Sequence, residues 1–73
     1  MTANNLYYYM LGLYIATQKP IKERVLYLFL LREECSAEMI PEIITMLERA
    51  YKIGRIPGTE NYLPILSHRW QTR

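Results

Sequence analysis

The hydrophobic pattern of the chain centres on one uninterrupted run. Val25-Leu26-Tyr27-Leu28-Phe29-Leu30-Leu31 places seven apolar residues in succession between Lys22-Glu23-Arg24 and Arg32-Glu33-Glu34. A run of this length fits a buried helix or a buried strand. The flanks favour helix. Pro20 suits a first helical position, where its missing N–H would be unpaired anyway. Glu23 falls in the first turn, where the positive end of the helix dipole stabilises a carboxylate. Four leucines and no glycine add good helix formers. The reading is a helix over 20–34, apolar round its middle turns and needing neighbours on more than one side. On this reading Leu28 belongs to the core, and truncating it to alanine would cost about 2–5 kcal/mol.

Ahead of this run, Leu6, Tyr9, Met10, Leu13 and Tyr14 fall on one helical stripe. Tyr7, Tyr8, Leu11 and Ile15 make the other side apolar too. A strand is the rival, because Tyr and Ile favour strands, and Gly12 weakens either reading. Helix is preferred over 6–18, with Asn4 or Asn5 as its cap and residues 1–5 frayed. It should end by Gln18, since the residue before a proline is pushed out of the helical region. After the central run, Ser36 can cap a short turn through Met39. Pro41 then starts a third helix over 41–53. Its core face is Ile43, Ile44, Leu47, Ala50 and Tyr51, and Glu42, Thr45, Glu48, Arg49 and Lys52 face water. Lys52 would fall in its last turn. Gly54 would be the left-handed residue just past its end. Pro57-Gly58-Thr59-Glu60-Asn61 is a turn cluster. It centres a hairpin over 55–66, in which Pro64 would confine its strand to an edge. Residues 67–73 form a polar tail. The expected class is mainly α: a small single domain of three helices with a short C-terminal β-hairpin.

Composition narrows the picture. A chain of 73 residues buries only roughly 60% of its unfolded surface. At 51% hydrophobic it is too apolar for disorder. No stretch of about 20 apolar residues marks a membrane span. No basic segment precedes the first apolar stretch, which argues against a secretory signal. Cys35 is the single cysteine, so an internal disulfide or a multi-cysteine zinc site is excluded. A reduced, buried thiol in the cytosol is the plain reading. The net charge of +2 arises at the C-terminal end, from Arg55, Arg69 and Arg73 against Glu60. That is a weak field for a nucleic-acid binder.

No constellation carries catalysis. Cys35 and His68 lack the third group that a nucleophile–base pair needs. Glu33, Glu34 and Glu38 read as solvated carboxylates, and no glycine-rich phosphate loop is present. No enzyme activity, cofactor, metal or small-molecule substrate is expected. The residues suited to a partner are aromatic and arginine. Tyr7-Tyr8-Tyr9 spans most of a helical circumference, so at least one ring must face outward. Tyrosine is enriched in interfaces. Arg55, Tyr62, Arg69 and Trp70 are of the types that dominate binding hot spots. The expected partner-binding set is Tyr7, Tyr8, Arg55, Tyr62, Arg69 and Trp70, although Trp70 alone also reads as a last piece of core.

Two resemblances add to this. The turn Ser36-Ala37-Glu38-Met39-Ile40, the helix Ile44–Tyr51 and the segment Lys52-Ile53-Gly54-Arg55-Ile56-Pro57-Gly58 resemble a winged helix-turn-helix domain. In such domains the helix before the wing enters the major groove. Here it would carry Glu42 and Glu48 beside only Arg49 and Lys52, so direct DNA binding is not expected, and a winged-helix DNA-binding repressor is the alternative. The length and the tyrosine-rich start Asn4-Asn5-Leu6-Tyr7-Tyr8-Tyr9-Met10 resemble the small phage-encoded transcription regulators that bind host bacterial RNA polymerase, like that of a Xanthomonas phage. The resemblance implies binding to the largest polymerase subunits in the bacterial cytoplasm. It also implies inhibition of initiation by sigma displacement, and suppression of termination. The protein is expected to be a monomer, with no membrane partner. A third possibility is an assembly or toxin–antitoxin component with its apolar helix exposed.

Overall fold

The computed structural model describes residues 2–66. Three helices and a small three-stranded antiparallel sheet share one core: α1 (Thr2–Thr17), β1 (Ile21–Lys22), α2 (Glu23–Arg32), α3 (Ile40–Arg49), β2 (Ile53–Arg55) and β3 (Asn61–Pro64). The strand order is β1-β3-β2.

The first helix buries a narrow stripe of Ala3, Leu6 and Met10. It starts a turn earlier than the asparagines suggest. Because Ala3 packs into the core, Asn4 and Asn5 lie inside the helix as exposed residues and do not cap it. It stops at Thr17, as the coming proline requires. Gln18 turns left-handed (φ 57°) while its amide still donates to the Tyr14 carbonyl at 2.7 Å.

Pro20 does not open the central helix. The chain instead runs extended through Ile21 and Lys22, which pair with Tyr62 and Asn61 of β3. The Glu23 amide continues that ladder onto the Glu60 carbonyl at 2.9 Å. Strand pairing therefore overrides a local proline preference, and α2 begins at Glu23. It buries Leu26 and Leu30, one turn apart. Leu28 and Leu31 point outward, Leu28 being 59% exposed. Val25, Tyr27 and Phe29 pack partly buried against the core, so the run does meet neighbours on more than one side, and what is corrected is the placing of Leu28 in the core.

Helices α2 and α3 end in the same way. The Glu34 amide donates to Leu31 and the Cys35 amide to Leu30; likewise Tyr51 donates to Glu48 and Lys52 to Leu47. These are paired C-terminal bonds of the Schellman type. The left-handed positions are Glu34 (φ 65°) and Tyr51 (φ 58°), where glycine would be usual. Each costs about 1–2 kcal/mol relative to an ordinary conformation. So Tyr51, not Gly54, terminates α3, and its ring leaves the core. Ala50 is exposed as well, while Lys52 lies beyond the helix. Gly54 sits within β2 opposite Leu63.

Ahead of α3, the Met39 amide closes a turn on the backbone carbonyl of Ser36 at 3.0 Å, in place of a side-chain cap. Pro41 then opens α3 with Glu42 in the first turn, and Ile40, Ile43, Ile44 and Leu47 are buried. The hairpin turns at Ile56-Pro57-Gly58-Thr59. Pro57 and Gly58 (φ 79°) occupy the central positions, and the Thr59 amide returns to the Ile56 carbonyl at 3.1 Å. That proline–glycine order suits a type II turn.

The last strand is central, not an edge, although it contains Pro64. The Ile56 amide donates to the Asn61 carbonyl and the Ile65 amide to the Lys52 carbonyl. Positions 61 and 65 therefore face β2, and 62 and 64 face the other way. The Pro64 nitrogen is directed past Ile21, where β1 has already ended, so its missing N–H interrupts no ladder bond.

Leu30→Ala should destabilise the domain by about 2–5 kcal/mol. Leu28→Ala should change stability by less than about 1 kcal/mol. A urea titration of both variants checks this; equal losses would contradict the assigned core face.

Candidate protein-docking surface

Three consecutive tyrosines leave α1 in three directions. The Tyr7 hydroxyl donates to the Ile65 carbonyl at 2.9 Å. The Lys52 ammonium lies over the Tyr7 ring, 5.2 Å from its centroid. Tyr7 therefore ties α1 to the end of the hairpin. Tyr9 stacks on Phe29 of α2 at 4.4 Å. Tyr8 is left outward, 67% exposed, touching Tyr7 edge-on at 5.5 Å.

Arg55 and Tyr62 come together but not as a shared contact surface. The Tyr62 ring is fully buried. Its hydroxyl accepts from Arg55 Nε at 3.2 Å and Nη2 at 2.6 Å. The guanidinium also sits 5.3 Å from the ring centroid and 3.9 Å from the Glu23 carboxylate. Tyr62 is thus a core residue whose polar tip is satisfied by a half-exposed arginine. Of the six residues expected to meet a partner, Tyr8 and Arg55 offer exposed surface, Tyr7 and Tyr62 serve the fold, and Arg69 and Trp70 lie outside the described residues. His68 also lies outside them.

The sequence reading passed over the outer face of α3. Met39 and Met46 are 48% and 52% exposed. They stand seven positions apart, so they lie along one side, about 10 Å from each other. Two hollows share Met39, Ile43 and Met46. One, of ≈ 550 Å³, continues along α3 past Pro41, Glu42 and Thr45 to Arg49. The other, of ≈ 280 Å³, reaches the start of α1 at Thr2 and Ala3 and includes Cys35. The available signal was Met46 on the polar side of the cleanest amphipathic helix, seven positions after Met39 in the turn that leads into it.

Charge around this face is acidic at one end. Glu33, Glu34, Glu38 and Glu42 surround the α2–α3 turn with Arg32. Among the described residues the ion pair is Arg55–Glu23, so these four carboxylates are unpaired there. Lys52, expected beside α3's polar face, is turned onto Tyr7 instead. No helix of the described residues is long and apolar enough to cross a membrane. No group of three His, Cys, Asp or Glu side chains gathers among them as a metal site.

No protein-family model, curated protein or solved structure matches the chain.

Burial raises the Tyr62 pKa above its ordinary value of 10.0, and the Arg55 hydrogen bond opposes that rise. A phenol held neutral in the fold stabilises fully below the unfolded pKa. That stability is lost as pH climbs from about 10 through the folded value. The urea midpoint should therefore fall above pH 10. Tyr62→Phe should lower stability near neutrality by about 0.5–1.5 kcal/mol and flatten the alkaline fall. An unchanged alkaline slope in the variant would contradict this role.

Proposed function

We propose that this protein is a regulator of transcription that works by binding bacterial RNA polymerase as a protein surface. In this reading it opposes sigma and so inhibits initiation, and its continued presence on the enzyme suppresses termination. It performs no turnover. The polymerase as target comes from the resemblance carried by Asn4–Met10. The observation that supports a protein partner over DNA is the outer face of α3. Met39, Pro41 and Met46 lie there beside Glu42, with Arg49 the one cation lining it.

We read the fold as winged-helix-like. The order α1-β1-α2-α3-β2-β3, with β1 added to the outer side of the hairpin, supports this. The same order is what favours the rival, a winged-helix DNA-binding repressor. In that rival α3 would enter the major groove. Its carboxylates would then face phosphates, and binding of the groove backbone needs lysines and arginines that neutralise charge. The tip of the hairpin, Pro57-Gly58-Thr59-Glu60, adds no cation. Tyr8 and Arg55 are proposed as further contacts, since both present exposed surface beside the hydrogen-bonded frame.

The test is capture from bacterial lysate by tagged protein, with and without nuclease. The largest polymerase subunits should be recovered after digestion. Tyr8→Ala should reduce their recovery with the far-ultraviolet circular dichroism unchanged. Recovery of nucleic acid alone, lost on digestion, would favour the repressor. So would duplex binding that weakens steeply with salt.

A further inference from the structure

We infer that the groove between α3 and the start of α1 is a docking site for a basic, amphipathic helix of a protein partner. This rests on the reading that α3 meets protein. It adds where on the chain the partner sits and what kind of segment it presents.

Four features carry the inference. The groove floor is apolar: Ala3 and Ile43 are core residues at its base, and Cys35 is half-buried beside them. Its walls are Met39 and Met46, flexible and polarisable side chains that adapt to an inserted apolar group. Its length matches a helix. The two methionines are about 10 Å apart, the reach of anchors at positions i and i+7, which is how an amphipathic helix reads a groove. Its rim selects charge. Glu42 lines one hollow, and Glu34 and Glu38 precede the lining residues Cys35 and Met39. Glu33, Glu34 and Glu38 are exposed residues of the turn that leads into the groove, three carboxylates beside Arg32, while Glu42 lines its hollow together with Arg49. An occupant with lysines or arginines beside that turn supplies the missing counter-charges. Acidic segments, anionic lipid surfaces and nucleic acid are repelled from it.

The test uses two synthetic amphipathic helices of about 15 residues, long enough to hold a helix on binding. One has leucines on one face and lysines on the other; its twin has glutamates in place of lysines. Binding is read by fluorescence anisotropy of the labelled peptides and by the rate of Cys35 alkylation. The lysine peptide should bind and slow alkylation, and the glutamate peptide should do neither. Met46→Glu should weaken the lysine peptide by on the order of tenfold or more, as loss of a central anchor does. Ile15→Ala, twelve positions along α1 from Ala3, should leave it unchanged. Glu38→Lys with Glu42→Lys should reverse the preference between the two peptides, and these exposed positions leave the core intact. Equal binding of both peptides, no binding of either, or a preference unmoved by the double reversal would overturn the inference. Because the peptides require no polymerase, failure here is separable from failure to capture the enzyme.

Discussion

The buried phenol of Tyr62 is the constraint on which the rest of the structure depends. Its strand lies between two others, so its register is fixed on both sides, opposite Ile21 of β1 and opposite Arg55 of β2. Its ring fills the core and its hydroxyl must find a partner there. Arg55 supplies that partner from the neighbouring strand and reaches Glu23, the first residue of α2. Register, the start of the central helix and the anchoring of the hairpin therefore stand together. A slip of one residue would turn the ring to the opposite face and undo all three.

This arrangement also decides what is left outside. Drawing Ile21 and Lys22 into the sheet delays α2 and leaves it one buried stripe, at Leu26 and Leu30. The left-handed Tyr51 ends α3 early and sends the chain into β2, so Lys52 swings to Tyr7 and away from α3. What α3 keeps on its outer side is methionine, proline, glutamate and one arginine. That residue set supports the proposal of a protein partner over DNA: it is a face that excludes water against a protein and repels a phosphate backbone.

How much of this was legible in the sequence differs by element. The buried face of α3 at Ile43, Ile44 and Leu47 could be read from period alone, and the proline-enforced end of α1 and the Pro57-Gly58 turn from residue type. The first strand could not, since two residues have no periodicity and its existence depends on Asn61 and Tyr62, forty positions later. A run of seven apolar residues conceals which side is covered, so Leu28 read as core. Pro64 read as an edge marker because the direction of its nitrogen depends on strand pairing. Arg55 and Tyr62 have the residue types of a binding hot spot, and only burial separates a hot spot from a satisfied core hydroxyl. Met39 and Met46 were passed over because a methionine among polar residues becomes notable only when its side of the helix is left uncovered.

The central claim is that the outer face of α3, with the start of α1, is where a protein partner sits. Amide hydrogen exchange of the whole chain, alone and with core bacterial RNA polymerase, tests it most directly. The account predicts slowed exchange in the segment from Cys35 to Met46 and at the first turn of α1, with no such change on adding duplex DNA. Exchange in that segment left unaltered by the polymerase, or slowed by duplex DNA instead, would contradict it.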